Sequence, residues 1–355
     1  AILGLGATWE LDLWGRIRHM NESALAEYLA SDYGRRGVVL SLVASVAQAY
    51  YELLTLDLRL DIARRTAETY RGSLKIFQER LDGGTASRLE TTRAQGALAT
   101  TAAQIPELER QVALKENEIQ ILLGSTPGPI DRNAKLLDQT LPPEVPPGLP
   151  SALLERRPDV LRAEQIVRAA NAQIGIAQAA FFPTLGLTTV FGRMSSPLEA
   201  FLGGSTNFWS VAATTAGPLY AGGSLRSRKR QMVAAWEQAR LEYEQTVMSA
   251  FRDVSNALIT RQRTEEIRSE LLRAVDSYTE AVTVSQERYL AGKSSYFEVL
   301  DAQQQLYPAQ VALAQTELNR RVVIVQLYQA LGGGWNLKST DWSGPQAAGA
   351  ATPAK

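Results

Sequence analysis

Two stretches of the chain, about Arg16 to Leu81 and about Leu225 to Ala291, contain no proline and carry apolar residues at the alternating three-and-four spacing of a helix seam. In the first, the seam runs through Tyr28, Val39, Leu42, Val46, Ala49, Leu53, Leu56, Leu60, Ala63, Ala67, Tyr70, Leu74, Phe77 and Leu81, which predicts a coiled coil. The second shows it at Trp236, Tyr243, Val247, Ala250, Val254 and Ala257, loses it through the charged run Arg261 to Glu270, and regains it at Leu271, Val275, Tyr278, Val282 and Tyr289. The lapse predicts that something other than a helix partner touches that middle stretch. At about 1.5 Å per residue each rod would extend roughly 100 Å, too long to fold into one ball.

Each rod is followed by a glycine-bearing turn, Asp82-Gly83-Gly84-Thr85 and Ala291-Gly292-Lys293, where glycine can adopt the left-handed conformation that ends a helix. Returning helices are predicted over about Ser87 to Leu123 and Tyr296 to Leu331, with kinks at Pro106 and Pro308. The proline-rich segment Ser125 to Pro150 predicts an extended linker. After it, an alanine-rich helix over about Ser151 to Ala180 leads to Phe181-Phe182-Pro183, where the proline marks a switch from helix to strand.

Three segments alternate with a period of two: Leu3 to Leu13, Thr184 to Arg193, and Phe208 to Ala216. Each is near the ten or so residues that a tilted membrane strand needs. A small soluble hairpin capping the rods fits the same periodicity. Three short strands, however, cannot cover their own edges and need strands from other copies to close a sheet, and a closed barrel is the β structure that can span lipid.

Laid on itself at a displacement of 208, the chain pairs Gln78-Glu79-Arg80 with Gln286-Glu287-Arg288, Gly84 with Gly292, Ser87 with Ser295, Glu90 with Glu298, and Leu123-Gly124 with Leu331-Gly332. The register holds without a gap from Gly15 to Gly124, against a chance identity of roughly one position in fifteen, so the chain is an internal tandem repeat. The expected division is residues 1–124 as the first repeat, 125–150 as the linker, 151–332 as the second repeat and 333–355 as a tail. Residue 1 pairs with residue 209, so the first copy has no counterpart to Ser151 through Phe208, a helix and a strand.

Composition narrows the chemistry. Basic and acidic residues balance at 37 each, which offers no net attraction for nucleic acid. The chain has no cysteine and one histidine, His19, which reads as a polar residue on a helix surface. Thiol, metal and most acid-base catalysis are thereby excluded, and the glycine pairs lack the lysine of a phosphate loop. No enzyme, cofactor or metal is expected. The longest uncharged stretches, Ala169 to Gly192 and Ala200 to Leu225, are broken by Asn, Gln, Gly, Thr and Pro and do not read as transmembrane helices. The N-terminus shows no charged start, apolar core and cleavage site, which leaves a cytoplasmic protein or a chain that begins after its export signal.

The run Leu153-Leu154-Glu155-Arg156-Arg157-Pro158-Asp159-Val160, with Gln178-Ala179-Ala180-Phe181-Phe182-Pro183 at the end of the same helix, resembles the TolC-like outer-membrane factors of tripartite efflux pumps. The likeness is strongest to the branch that works with resistance-nodulation-division pumps. Glu10-Leu11-Asp12-Leu13-Trp14-Gly15-Arg16 and Gly217-Pro218-Leu219-Tyr220-Ala221-Gly222-Gly223 are also similar to that family. The resemblance implies a mainly α protein with membrane β-strands, in which long coiled-coil helical hairpins form a trimeric α-barrel across the periplasm, continuous with a trimeric β-barrel in the outer membrane. The partners it implies are two further copies, outer-membrane lipid, a periplasmic adaptor and an inner-membrane pump. The duct would conduct small molecules passively from periplasm to exterior, for multidrug resistance.

The same resemblance places a periplasmic gate at the second hairpin's tip. Phe297 would supply an apolar ring, Glu298 and Asp301 an acidic one, and Tyr289 a contact that holds the tip closed. Glu298 and Asp301 are three residues apart and share a helix face, although acidic pairs at this spacing commonly lie on solvated faces. Ser294 stands where some relatives place a basic gate residue. The family uses four strands per subunit where three are found, so the expectation is an N-terminally incomplete duct subunit, lacking roughly 58 residues of the repeat unit and its export signal. Two other functions stay open at this point: a soluble coiled-coil scaffold, which leaves the strands unexplained, and a duct for one-step protein secretion.

Overall fold

A computed structural model of the chain describes residues 2–84, 87–139, 156–194 and 207–333. Strand β1 (Ile2–Leu11) enters helix α1 (Arg16–Asp82), which turns into α2 (Arg88–Leu122). A 3-10 turn at Leu136–Asp138 interrupts the linker, and helix α3 (Pro158–Ala179) precedes strands β2 (Thr184–Met194) and β3 (Asn207–Ala216). Helices α4 (Ser224–Leu290) and α5 (Tyr296–Ala330) complete the second hairpin. The residues expected at Ser151 to Glu155, in the later linker and in the tail lie outside the described ones.

Duplication extends to the backbone. Arg16 and Ser224, Asp82 and Leu290, Arg88 and Tyr296, and Leu122 and Ala330 are each 208 apart, so both hairpins start and stop in register. Gly15 and Gly223, Gly84 and Gly292, and Gly124 and Gly332 all have positive φ, the conformation that a Cβ disfavours. Gly83 does not, so of the first turn's glycine pair only Gly84 is needed for its backbone. Helices α2 and α5 continue through Pro106 and Pro308.

By compactness the chain divides into one unit of Ala1–Gly37 with Leu154–Ser249 and another of Val38–Leu153 with Ala250–Lys355. These units cut across the two repeats, because each long helix contributes to both.

In the first unit the strands form one antiparallel sheet in the order β1-β2-β3. Leu5 lies opposite Phe191, which lies opposite Trp209, and all three side chains are exposed. Directly opposed residues share a face, so Leu3, Leu5, Trp9, Phe191, Trp209 and Val211 make one mainly apolar face, with Thr189, Arg193 and Asn207 on the same side. Gly4, Gly6, Thr8, Gly186, Thr188, Gly192, Ser210 and Thr214 stand on the other, together with Val190, Phe208 and Ala212. A Cβ on Gly192 would come within 2.6 Å of the Gly4 Cα across the ladder, so only glycine fits at this position of β2.

The junction from β1 to α1 is held by charge and ring stacking. Asp12 accepts from the backbone N–H groups of Ile17 and Arg18, at 2.9 Å each, and so caps α1. Arg16 grips Glu10 with two hydrogen bonds, of 2.9 and 2.6 Å. Trp14 stacks on Phe182 with centroids 4.5 Å apart and donates its Nε1–H to the Pro183 carbonyl. Among the described residues helix α3 starts at Pro158, because a residue before proline is driven out of the helical region: Arg157 has φ −69° and ψ 121°.

The first turns of α1 also depart from the expected seam. Tyr28 and Leu42 are exposed, whereas Ser23, Ala26 and Ala30 are buried. Ser23 receives a hydrogen bond from Gln173 of α3 at 2.8 Å, and Gly34 and Gly37 lie beside Arg162 and Pro158. Small residues let the two backbones approach, so the stripe that matters here is small rather than apolar. His19 is partly exposed, as expected, yet its ring also sits against Gly175, where a Cβ would meet it at 2.5 Å.

In the second unit the predicted seam, Leu42 apart, is at least partly buried, and Ala49, Leu53, Ala63, Ala67, Tyr70 and Phe77 are buried outright. Ala49 and Leu53 of α1 pack with Ile119 of α2, and Ala257 of α4 with Val323 and Leu327 of α5. One window of α1 is long and apolar enough to cross a membrane by composition alone. The uncharged-run criterion passes over it.

The charged run of α4 does meet a helix partner, contrary to expectation. Arg268 donates to Glu317 of α5, and Arg320 bridges Glu265 and Glu317 at 2.6 and 3.0 Å. Arg321, 3% exposed like Glu317, adds a third bond to that carboxylate at 2.8 Å and donates to the Leu136 carbonyl of the linker at 2.6 Å. The other side of the linker is tied by Arg132, which pairs with Asp57 of α1 at 2.9 Å and with Glu116 of α2. An ionic lattice thus replaces the apolar seam where the linker crosses both hairpins.

Burial pushes the Glu317 carboxyl up, but bonds from Arg268, Arg321 and Arg320 outweigh it and hold the group at about 2. Its stabilisation is therefore complete above the ordinary value of 4.5 and fades as pH falls toward 2. Glu317→Ala is expected to cost about 3–5 kcal/mol, since it leaves the buried arginines short of a counter-charge. Thermal melts of the detergent-solubilised protein will check both points: the variant should melt lower, and the wild type should lose stability between about pH 5 and pH 3 more steeply than the variant does.

Candidate functional site

The second unit contains the four gate candidates. At the tip, Tyr70 and Phe77 of α1, Ala94 of α2, and Tyr296, Val299 and Leu300 of α5 form a buried cluster, with Tyr289 of α4 packed against it. All four long helices meet in this cluster. Phe77 lies 3.9 Å from the Tyr296 ring and 5.7 Å from the Tyr289 ring, centroid to centroid. Burial pushes the Tyr296 hydroxyl up to about 12, so the cluster keeps its neutral rings across the physiological range.

Tyr289 joins the hairpins. Arg80 of α1 donates to its hydroxyl at 2.7 Å and also lies 4.7 Å from the ring centroid. One side chain thus receives a hydrogen bond and a cation–π contact from the same guanidinium. Phe297 is exposed, with Arg93 of α2 lying 5.6 Å from its centroid. Arg93 stands at the position that the repeat equates with Asp301, so the two hairpin tips carry opposite charge at one equivalent place.

The two acidic candidates are held differently. Glu298 lies 3.8 Å from Arg288 of α4, and both side chains are about half exposed, a pair that contributes little on its own. Asp301 is exposed and makes no ion pair among the described residues. In the first hairpin, Ser87 and Glu90 close a full capping box: Ser87 accepts from Leu89 N–H at 3.1 Å and Glu90 accepts from Ser87 N–H at 2.9 Å. Ser295 takes the same N-cap position in the second hairpin but makes no side-chain cap bond, so Glu298 is free of the role its counterpart performs.

The turn glycines do similar work in both tips. Gly84 N–H donates to the Leu81 carbonyl at 2.9 Å and Gly292 N–H to the Tyr289 carbonyl at 3.0 Å. Gly83 N–H donates to Glu79 at 3.1 Å and needs no unusual backbone. Sequence reasoning missed Arg80 and Arg93, the cations facing Tyr289 and Phe297. The repeat alignment held the signal for Arg93, since it sets a basic residue against Asp301.

Two duplicated helical hairpins tied to a short antiparallel sheet with one apolar face define the protomer of an outer-membrane channel. The family model for the outer membrane efflux protein matches residues 2–125 and 149–333, on either side of the linker. The solvent efflux pump outer membrane protein SrpC of Pseudomonas putida is 35% identical over 336 residues, which are 94% of this chain and 71% of that relative. The outer membrane protein OprJ of Pseudomonas aeruginosa is 34% identical over 334 residues, 92% of this chain and 69% of that one. Among solved structures, the open state of the MtrE outer membrane channel of Neisseria gonorrhoeae superposes with a TM-score of 0.84 at 29% identity, covering 94% of this chain and 80% of that one. The chain belongs to the outer membrane efflux protein family.

Tyr289→Phe keeps the ring and removes the hydroxyl that receives the Arg80 bond. A net loss of about 1 kcal/mol is expected, or roughly a fivefold faster amide exchange in the tip around 286–298. Exchange there equal to that of the wild type would show that the bond adds nothing.

Proposed function

We propose that three copies of this chain assemble into a passive duct that carries small molecules from the periplasm across the outer membrane. A periplasmic adaptor would couple it to an inner-membrane pump that supplies the energy. The observation that carries this reading is the direct continuity of the apolar-faced sheet with 67-residue helices. Leu5, Phe191 and Trp209 suit lipid, while glycine, serine and threonine on the opposite face suit a wet lumen. Strands β1 and β3 each keep an edge unpaired among the described residues, which further copies would have to cover. The soluble scaffold gives no role to such a sheet, and the kinship with efflux proteins favours efflux over one-step protein secretion.

Within this duct, Phe297, Glu298 and Asp301 form the aperture of the second hairpin, with Tyr289 as its latch to α1. Their support is exposure at the tip, release of Glu298 from capping, and the absence of an ion pair at Asp301 among the described residues. Three copies would set six carboxylates around one opening.

Two measurements test the reading. Detergent-extracted particles imaged by electron microscopy should be threefold; monomeric globules would refute it. In planar bilayers, Glu298→Ala combined with Asp301→Ala should weaken block of single-channel current by multivalent cations by about tenfold or more, as expected when converging carboxylates are removed. Unchanged block would remove the acidic aperture while leaving the duct intact.

A further inference from the structure

The aperture residues of α5 do not all look the same way. Phe297, Asp301 and Gln304 are spaced four and three apart, so they share one stripe of the helix. Glu298 lies off that stripe, on the side of α4, where Arg288 stands 3.8 Å from it. Arg93 of α2 lies 5.6 Å from the Phe297 centroid and lines one groove together with Gln304. Its guanidinium is therefore set against the residues that precede and follow Asp301 on the stripe.

Phe297 and Asp301 are one turn apart, with Cβ atoms about 6 Å from each other. A change of rotamer carries the Arg93 cation from the ring to the carboxylate while both helices stay where they are. Both groups are open to it: Arg93 and Asp301 are exposed, and neither side chain makes a hydrogen bond or ion pair among the described residues. In water an exposed cation–π contact and an exposed ion pair are of similar strength, so the guanidinium divides its time between the two. The duplication supports the match, since residues 93 and 301 are the same position of the repeat and have taken opposite charges.

We propose that Arg93 sets the charge of the aperture and hence its preference among ions. On the Phe297 ring it leaves Asp301 bare to attract cations, and on Asp301 it neutralises one of the two carboxylates that each copy contributes. The inference rests on the acidic aperture proposed above and adds that a shared cation from the other hairpin governs how much of that acid is felt.

The concentration of hexaamminecobalt(III) that halves the single-channel current in planar bilayers reads this charge. Arg93→Gln should lower it about fivefold, the effect of removing one unit charge a few ångströms from the blocking ion in water. Arg93→Lys keeps the charge and should stay within about twofold of the wild type, as should Arg93→Gln within an Asp301→Asn background, where the partner is gone. An unchanged half-blocking concentration in Arg93→Gln, or an equal shift in the Asp301→Asn background, would overturn the assignment while leaving the acidic aperture in place. Unchanged block in the combined Glu298→Ala, Asp301→Ala variant would instead remove the aperture and this inference with it. The juxtaposition is also testable without a channel. Because the chain has no cysteine, Arg93→Cys and Asp301→Cys together can be bridged in detergent by a short bismaleimide. Peptide mass spectrometry should show that bridge within one chain forming faster than one between Arg93→Cys and Glu298→Cys; equal rates would refute the shared stripe.

Discussion

A long helix must find a partner for its inward stripe at every turn, and in this chain the kind of partner changes along the helix. In the first unit α1 meets α3 through Ser23, Gly34 and Gly37, residues small enough for close backbone approach. In the second it meets α2 through Ala49 and Leu53, and at the tip it meets all the other long helices through Tyr70 and Phe77. The residues grow larger from one contact to the next. Helices that pack on small side chains can lie close together, and those separated by tyrosine and phenylalanine cannot.

Charge takes over where apolar packing would conflict with the linker. The crossing segment must satisfy its own carbonyls, which an apolar seam cannot do. Arg321 resolves this by bonding both Glu317 and the Leu136 carbonyl, and Arg132 does the like between Asp57, Glu116 and the Ile130 carbonyl. Both linker contacts use arginine, whose planar fork reaches two acceptors at once. The even charge balance of the whole chain therefore conceals locally dense and ordered ion pairing.

Periodicity made the helices, turns and strands legible to within a few residues, and the repeat made them legible twice. It failed at the first turns of α1, where apolar spacing picked out exposed Tyr28 and Leu42 because small residues carry no hydropathy signal. It also misread Arg261 to Glu270, since a charged helix face looks the same whether it meets water or an opposite charge. The acidic candidates were visible as Glu298 and Asp301, but their cationic surroundings were not. Arg80 and Tyr289 are separated by most of the chain, and only the fold brings them to 2.7 Å.

The unequal helix starts at the two tips have a further consequence. Helix α2 begins on a capping box that needs nothing beyond its own first turn, whereas α5 begins on an unused serine and relies on Tyr296 being buried by Phe77 of α1. One origin is held by its own first turn and the other by the rings of neighbouring helices, Phe77 of α1 and Tyr289 of α4, so the end of α5 depends on tertiary contact in a way that the end of α2 does not.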